Sequence, residues 1–227
     1  MVMSPAGSLR VDRSAKTLRE LALENMRVGI WNGHFKPGDR LVERQLCEQL
    51  GVSRSIVREV LRHLETEGLV QTESHQGPVV ASFTADQAAQ IYDIRALLEG
   101  QAAHRCALRA TPEAIEELVS LNERTQQAFR QGDFQAVRER TAAFYEALFR
   151  LAGMDMAWAV VQSLNARINR LRAMTIGSPG RQAEAAAEMA RIIDALKKRD
   201  ANAAQQASED HVRRVAQIAA DCLRGAS

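Results

Sequence analysis

Leu46-Cys47-Glu48-Gln49-Leu50-Gly51-Val52-Ser53-Arg54-Ser55-Ile56-Val57-Arg58 sets a glycine turn between two short amphipathic segments. Gly51 suits the left-handed position that closes the first segment, and Ser53 can cap the start of the second. Ile56, Val57, Val60, Leu61 and Leu64 recur at helical spacing, which predicts one buried face running to about Glu67, where Gly68 stops the helix. Arg54, Arg58 and Arg62 fall on one polar stripe, because residues four apart lie above one another on a helix. A helix-turn-helix that offers its second helix to a DNA major groove is built this way.

Working outward, Leu18, Leu21, Ala22, Met26 and Ile30 predict a preceding helix over about 14–31, ended by Gly33, with a turn at Lys36-Pro37-Gly38-Asp39. A second short helix is expected over 41–50. Beyond Gly68, strands are expected over about 69–72 and 78–82, joined by Glu73-Ser74-His75-Gln76-Gly77, which makes a wing. At Thr84 the character changes. Thr84 and Gln87 form a capping-box pattern, and helical periodicity then persists almost to the end. Helices are expected at about 86–109, 112–131, 133–152, 155–175, 181–199 and 201–224, with Thr111-Pro112 as N-cap and first helical residue. The fold class is therefore mainly α: a winged helix-turn-helix over 14–83, then an all-α antiparallel bundle of about six helices over 84–227. Residues 1–13 read as a flexible tail.

The composition narrows the chemistry. The chain has 227 residues, 46% hydrophobic and 26% charged, with a net charge of only +2. Binding to nucleic acid must then rest on a local basic surface, not on bulk charge. No apolar run is long enough to span a bilayer, and the first residues lack a signal core. Cys47, Cys106 and Cys222 are widely spaced and form no CxxC pair, which argues against disulfides and a zinc ribbon and for a reducing cytoplasm.

Phe35-Lys36-Pro37-Gly38-Asp39-Arg40-Leu41, Glu43, Leu46, Leu50-Gly51-Val52-Ser53-Arg54, Val57-Arg58-Glu59-Val60-Leu61, Leu64-Glu65 and Glu67-Gly68-Leu69-Val70 together resemble the N-terminal domain of GntR-family transcription regulators. Ile94-Arg95 with Leu98-Glu99, and Asp200, Ala204 and His211, resemble the FCD ligand-binding domain of the FadR/VanR-type branch; six helices resemble the VanR-type variant. The resemblance implies DNA contacts at Arg44, Arg54, Arg58 and the wing. Many FCD domains bind a divalent metal through one Asp and three His. Here Thr141, Tyr145 and Met189 stand at three of those positions and only His211 remains, so neither a metal nor another cofactor is expected.

The residues themselves support a similar division of labour. Guanidinium forks suit guanine edges or phosphates, so Arg54 or Arg58 is expected to read a base, while Arg62 meets phosphate or solvent. Ser53 and Ser55 can meet phosphate at the helix start, Arg44 can reach the flanking backbone, and His75 and Gly77 lie on the wing tip. In the helical half, Thr141, Tyr145 and His211 offer polar groups, Arg95 a cation for a carboxylate, and Asn165 and Asn169 further donors, with Met189 as apolar wall. These expectations describe a cytoplasmic homodimeric repressor on a pseudo-palindromic double-stranded operator, controlled by a small organic acid, with no membrane partner and a hinge over 79–87. Two other readings use the same residues: a helical module that only dimerises, or an enzyme using Tyr145 and His211 as an acid–base pair.

Overall fold

The computed structural model describes residues 16–225. Helix α1 (Leu18–Trp31) opens on a capping box, Thr17 accepting from the Glu20 N–H while Glu20 reaches back. It therefore starts later than the apolar spacing suggested; the expected tail over 1–13 lies outside the described residues. Helix α2 (Glu43–Leu50) ends at Gly51, whose φ of 66° is the left-handed value that glycine adopts without strain. Helix α3 (Arg54–Thr66) follows, with the Ser53 hydroxyl accepting from the Ile56 N–H at 3.5 Å. Val57, Val60, Leu61 and Leu64 are its buried face.

Strands β1 (Val70–Glu73) and β2 (Gly77–Val80) pair antiparallel, Val70 opposite Val80 and Glu73 opposite Gly77. The segment before α2 closes on the other edge of β2: Leu41 N–H donates to Pro78 O at 2.8 Å, and Val80 N–H to Asp39 O at 2.9 Å. That pairing ties the α1–α2 loop to the wing, where the sequence suggested only a turn.

The second half consists of α4 (Ala85–Arg109), α5 (Pro112–Gln131), α6 (Phe134–Ala152), α7 (Asp155–Ser163), α8 (Asn165–Thr175), α9 (Arg181–Lys197) and α10 (Ala201–Gly225). Local chemistry sets most boundaries. Thr84, Thr111 and Asp133 cap α4, α5 and α6, and Gly132 and Gly153 take the left-handed position after α5 and α6. Phe144, Leu148, Phe149, Leu171, Ile192, Leu196 and Val212 fill the centre of the bundle.

One expectation needs correction. The single helix over 155–175 is broken at Leu164, so the bundle has seven helices among the described residues, not six. At the break the Leu164 N–H bonds three residues back to Val161 O, and the Ser163 hydroxyl donates to Val160 O at 2.7 Å. The tightened turn and the competing hydroxyl interrupt the α-helical ladder without a glycine or proline.

Helix α8 also joins the two halves. Ala166 lies within the hydrophobic cluster of the winged module, and the Arg167 guanidinium lies directly against Gly68, between α3 and β1. Gly68 has a φ of 70°. Gly68→Ala should therefore lower stability by about 1–2 kcal/mol from the backbone alone, with a further loss as Arg167 is displaced. Urea unfolding of the variant checks this; an unchanged midpoint would contradict it.

Candidate functional site

The exposed end of α3 distinguishes two arginines that spacing alone left equivalent. Arg54, its first residue, is exposed and has no hydrogen-bond or ion-pair partner among the described residues. Arg58 is also exposed, but its Nε donates to both carboxylate oxygens of Glu43 on α2, at 2.9 and 3.0 Å, and Glu43 raises its pKa. Arg58 can reach a base only by leaving Glu43, whereas Arg54 is free to do so. The Ser53 and Ser55 hydroxyls lie 2.9 Å apart at the helix start. Arg44 stands in the open, 3.9 Å from Glu48. His75 is exposed on the hairpin, and Gly77 closes that hairpin with a φ of 77°.

A cavity of about 60 Å³ lies inside the bundle. Arg95, Thr141, Met189 and His211 line it as expected. Arg95 is not a free cation, however. Its Nε donates to Glu99 Oε1 at 2.7 Å and its Nη2 to Oε2 at 3.2 Å, with both residues buried. The rings of Tyr92 and Tyr145 lie 5.4 and 5.9 Å from its guanidinium carbon. Thr141 is likewise committed, its hydroxyl donating to Val137 O at 2.7 Å.

On the facing helix, Arg181 holds Glu188 in a two-pronged pair at 2.9 and 2.7 Å, and Glu188 Oε2 lies 2.7 Å from His211 Nδ1. Burial would raise the Glu188 pKa, but the hydrogen bonds from His211 and Arg181 outweigh it and hold the carboxyl at about 2. Burial and the charges of Arg181 and Arg95 push His211 below its usual value despite Glu188. An ionised carboxylate can only accept, so the proton of the neutral imidazole sits on Nδ1. His211 Nε2 is then left as an acceptor. Arg181 also lies 3.7 Å from Glu184, which is itself shared with Arg214.

Arg172, on α8, is the cation that the sequence reading missed. It lines the cavity, and its Nη1 donates to Asn169 Oδ1 at 2.9 Å. No carboxylate among the described residues lies within ion-pair distance. Burial first, and then the nearby charge of Arg95, bring its pKa down to about 10, still cationic at pH 7. With Arg95 set against Glu99 and Arg181 against Glu188, Arg172 leaves the cavity with one positive charge in excess.

Three expected cavity residues lie elsewhere. Tyr145 is buried beside Arg95, its hydroxyl without a hydrogen-bond partner among the described residues; burial and the Glu99 carboxylate push its phenol far above 10. It therefore has no acid–base role in the cavity. Asn165 and Asn169 face the other way, into a groove of about 1010 Å³ between α1, α6 and α8. They do so because α8, set off by the break at Leu164, turns its asparagines toward α1 and brings Arg172 and Thr175 to the cavity.

The divalent metal that the family resemblance implies does not fit this site. The Thr141 hydroxyl is taken, Tyr145 is turned away, Met189 offers a thioether, and Arg181 places a guanidinium nitrogen 3.5 Å from the His211 ring. Among the described residues no three His, Cys, Asp or Glu side chains gather in a metal-binding group.

A capped recognition helix with an unencumbered arginine, flanked by a wing and seated on a helical bundle, defines a DNA-binding regulator as the class. Residues 18–80 match the family described as bacterial regulatory proteins, gntR family, and residues 90–214 match the FCD domain. YdhC, an HTH-type transcriptional regulator of Bacillus subtilis (strain 168), is 32% identical over 179 residues, which cover 78% of this chain and 80% of YdhC. The HTH-type transcriptional repressor RspR of Escherichia coli (strain K12) is 25% identical over 181 residues, 80% of this chain and 79% of RspR. The solved structure of E. coli McbR/YncC has the same fold, with a TM-score of 0.72 at 24% identity over 90% of this chain and 98% of that one. The chain belongs to the GntR family of transcription regulators and carries an FCD domain. It is a regulator, not an enzyme.

The Arg181–Glu188–His211 cluster makes stability pH-dependent in one direction. As pH falls below about 6.5, the unfolded His211 takes a proton that the folded one resists; between 4.5 and about 2 the unfolded Glu188 does the same. Both therefore stabilise the fold at high pH and lose that contribution as pH falls. Glu188→Gln should be less stable than wild type by about 3 kcal/mol at pH 7, with the gap closing below pH 4.5. Urea midpoints from pH 8 to 3 check this; a constant gap would contradict it.

Proposed function

We propose that this protein is a homodimeric, cytoplasmic, sequence-specific repressor whose affinity for a pseudo-palindromic operator is set by a small carboxylate metabolite. The observation that carries the effector half is Arg172: a half-buried cation lining a cavity, with no carboxylate in ion-pair reach among the described residues. An anion arriving there gains a charge-assisted hydrogen bond and cancels the excess charge. Around it, Arg95, Thr141, Met189 and His211 form part of the wall, with His211 Nε2 available to accept from a hydroxyl or amine on the ligand. About 60 Å³ holds only a handful of waters, so the acid is a short one. In the DNA half, over 14–83, Arg54 reads a base edge, Ser53, Ser55 and Arg44 hold phosphates, Arg58 exchanges Glu43 for DNA, and His75 and Gly77 carry the wing to the minor groove. The effector module spans 84–227. That the relative RspR of E. coli is a transcriptional repressor supports the repressor sign.

The dimer has its own support. Ile94, Leu97 and Leu108 are exposed along α4, Leu97 at 70%. Two copies of α4 laid antiparallel about Gln101 set Ile94 against Leu108, Asp93 against Arg109, and Leu97 against the aliphatic stem of Arg105. Wild type should run at twice 25.1 kDa in light scattering, and Leu97→Glu at the monomer mass. Equal masses would remove this face from the dimer.

The DNA reading is tested by retaining genomic fragments on the purified protein and measuring affinity by gel shift. Arg54→Ala should weaken specific binding by roughly 5- to 150-fold, about 1–3 kcal/mol, and relax sequence preference. Retention of wild-type affinity by Arg54→Ala and by Arg58→Ala would overturn the assignment.

A further inference from the structure

We propose that α8 is a connecting rod between the cavity and the DNA-reading module, with Arg172 and Asn169 as its positioning residues. The proposal rests on the reading of the cavity as an effector site and adds the route by which an effector acts.

Helix α8 is short, set off from α7 by the break at Leu164. One side of it is engaged with the winged module at three points. Ala166 sits in that module's apolar cluster. Arg167 abuts Gly68, where the recognition helix hands over to β1. Arg170 donates to the carbonyl oxygen of Ala81, just past β2, and its guanidinium carbon lies 4.8 Å from the centre of the Phe83 ring. These points are the base of α3 and the root of the wing. The next turn of the same helix brings Arg172 and Thr175 to the cavity.

A short hydrogen-bond ladder runs along α8 itself, from the cavity to the groove against α1. Arg172 Nη1 donates to Asn169 Oδ1 at 2.9 Å, and Asn169 Nδ2 donates to Asn165 Oδ1 at 3.3 Å. Both asparagines face the groove against α1, whose Leu23 and Trp31 form its far wall. The guanidinium in the cavity is satisfied by an amide that also lines the groove between the modules. A carboxylate is a stronger acceptor than an amide oxygen. When it draws Arg172 into the cavity, Asn169 Oδ1 loses its donor, and the ladder facing α1 must rearrange.

The contact that would yield is not locked by ion pairs. Arg170 is satisfied by a carbonyl oxygen, and Arg138 on α6, also buried, donates to Asn32 Oδ1 at 3.1 Å across the same boundary. Neither has a carboxylate partner among the described residues. A small movement of α8 therefore exchanges polar contacts of similar strength, so two arrangements can lie close in energy.

The test uses the full chain, the genomic fragments it retains, and sodium acetate, propionate, lactate and pyruvate against sodium chloride at equal ionic strength. At least one acid should raise the melting temperature of wild type and shift DNA affinity about ten-fold. Arg172→Gln should lose both effects. Asn169→Ala should keep the thermal shift and lose most of the change in DNA affinity. An Asn169→Ala protein that couples as wild type does would overturn the rod. Should no acid stabilise wild type, the effector reading falls, and the rod with it. Hydrogen exchange of wild type gives an answer that does not depend on any variant. The active acid should alter exchange in α8 and around Gly68 and Ala81; changes confined to α4, α9 and α10 would sink the proposal.

Discussion

A buried guanidinium without a carboxylate beside it is costly, because burial removes its hydration and only polar neighbours can replace it. Arg138 and Arg170 are buried with no ion-pair partner among the described residues, and the half-buried Arg172 likewise has none, all on or around α8. Burial lowers the pKa of each, Arg170 and Arg172 to about 10, yet each stays charged near neutrality. Two of them resolve the problem on oxygens of the winged module, Asn32 Oδ1 and Ala81 O. The third, at the cavity, rests on Asn169 one turn back along α8. The contrast is with Arg95–Glu99 and Arg181–Glu188, closed pairs in the bundle interior. The closed pairs are neutral in themselves; the open cations leave positive charge at the boundary between the modules and on one wall of the cavity.

Local chemistry is legible in the sequence. The Gly51 turn, the Ser53 cap, the Thr84 and Thr111 caps and the buried stripe of α3 depend on neighbours within a few residues, and each stands where its side chain implied. The break at Leu164 was hidden because the apolar period continues across it and no glycine or proline marks it. The interruption comes from a serine hydroxyl that competes for a backbone carbonyl.

The sites were legible in proportion to how local they are. The recognition helix and its arginines could be named, but Glu43 lies fifteen residues from Arg58 and joins it only through the packing of α2 on α3. Arg95 stood out as the cavity cation, although Glu99 one turn away hinted at its neutralisation. Arg172 carried no signal of its own, because its importance lies in the lack of a partner, which only the packed bundle defines. Glu188, adjacent to Met189, was overlooked for the same reason: its value comes from Arg181 and from His211, on two different helices or turns. The departure of the family's metal set was readable, and the structure adds the reason a cation does not belong there, since Arg181 already stands against the imidazole.

The family places a DNA-reading head on a helical module. This chain keeps that plan, with an unencumbered arginine at the start of α3 and a hairpin beside it. Hydroxyl-radical footprinting on a retained genomic fragment tests the resulting account most directly. The account requires two protected patches on one face of the duplex, related by a two-fold axis and set about one or two helical turns apart. Uniform cleavage, or a single unsymmetrical patch that survives random competitor DNA, would contradict it.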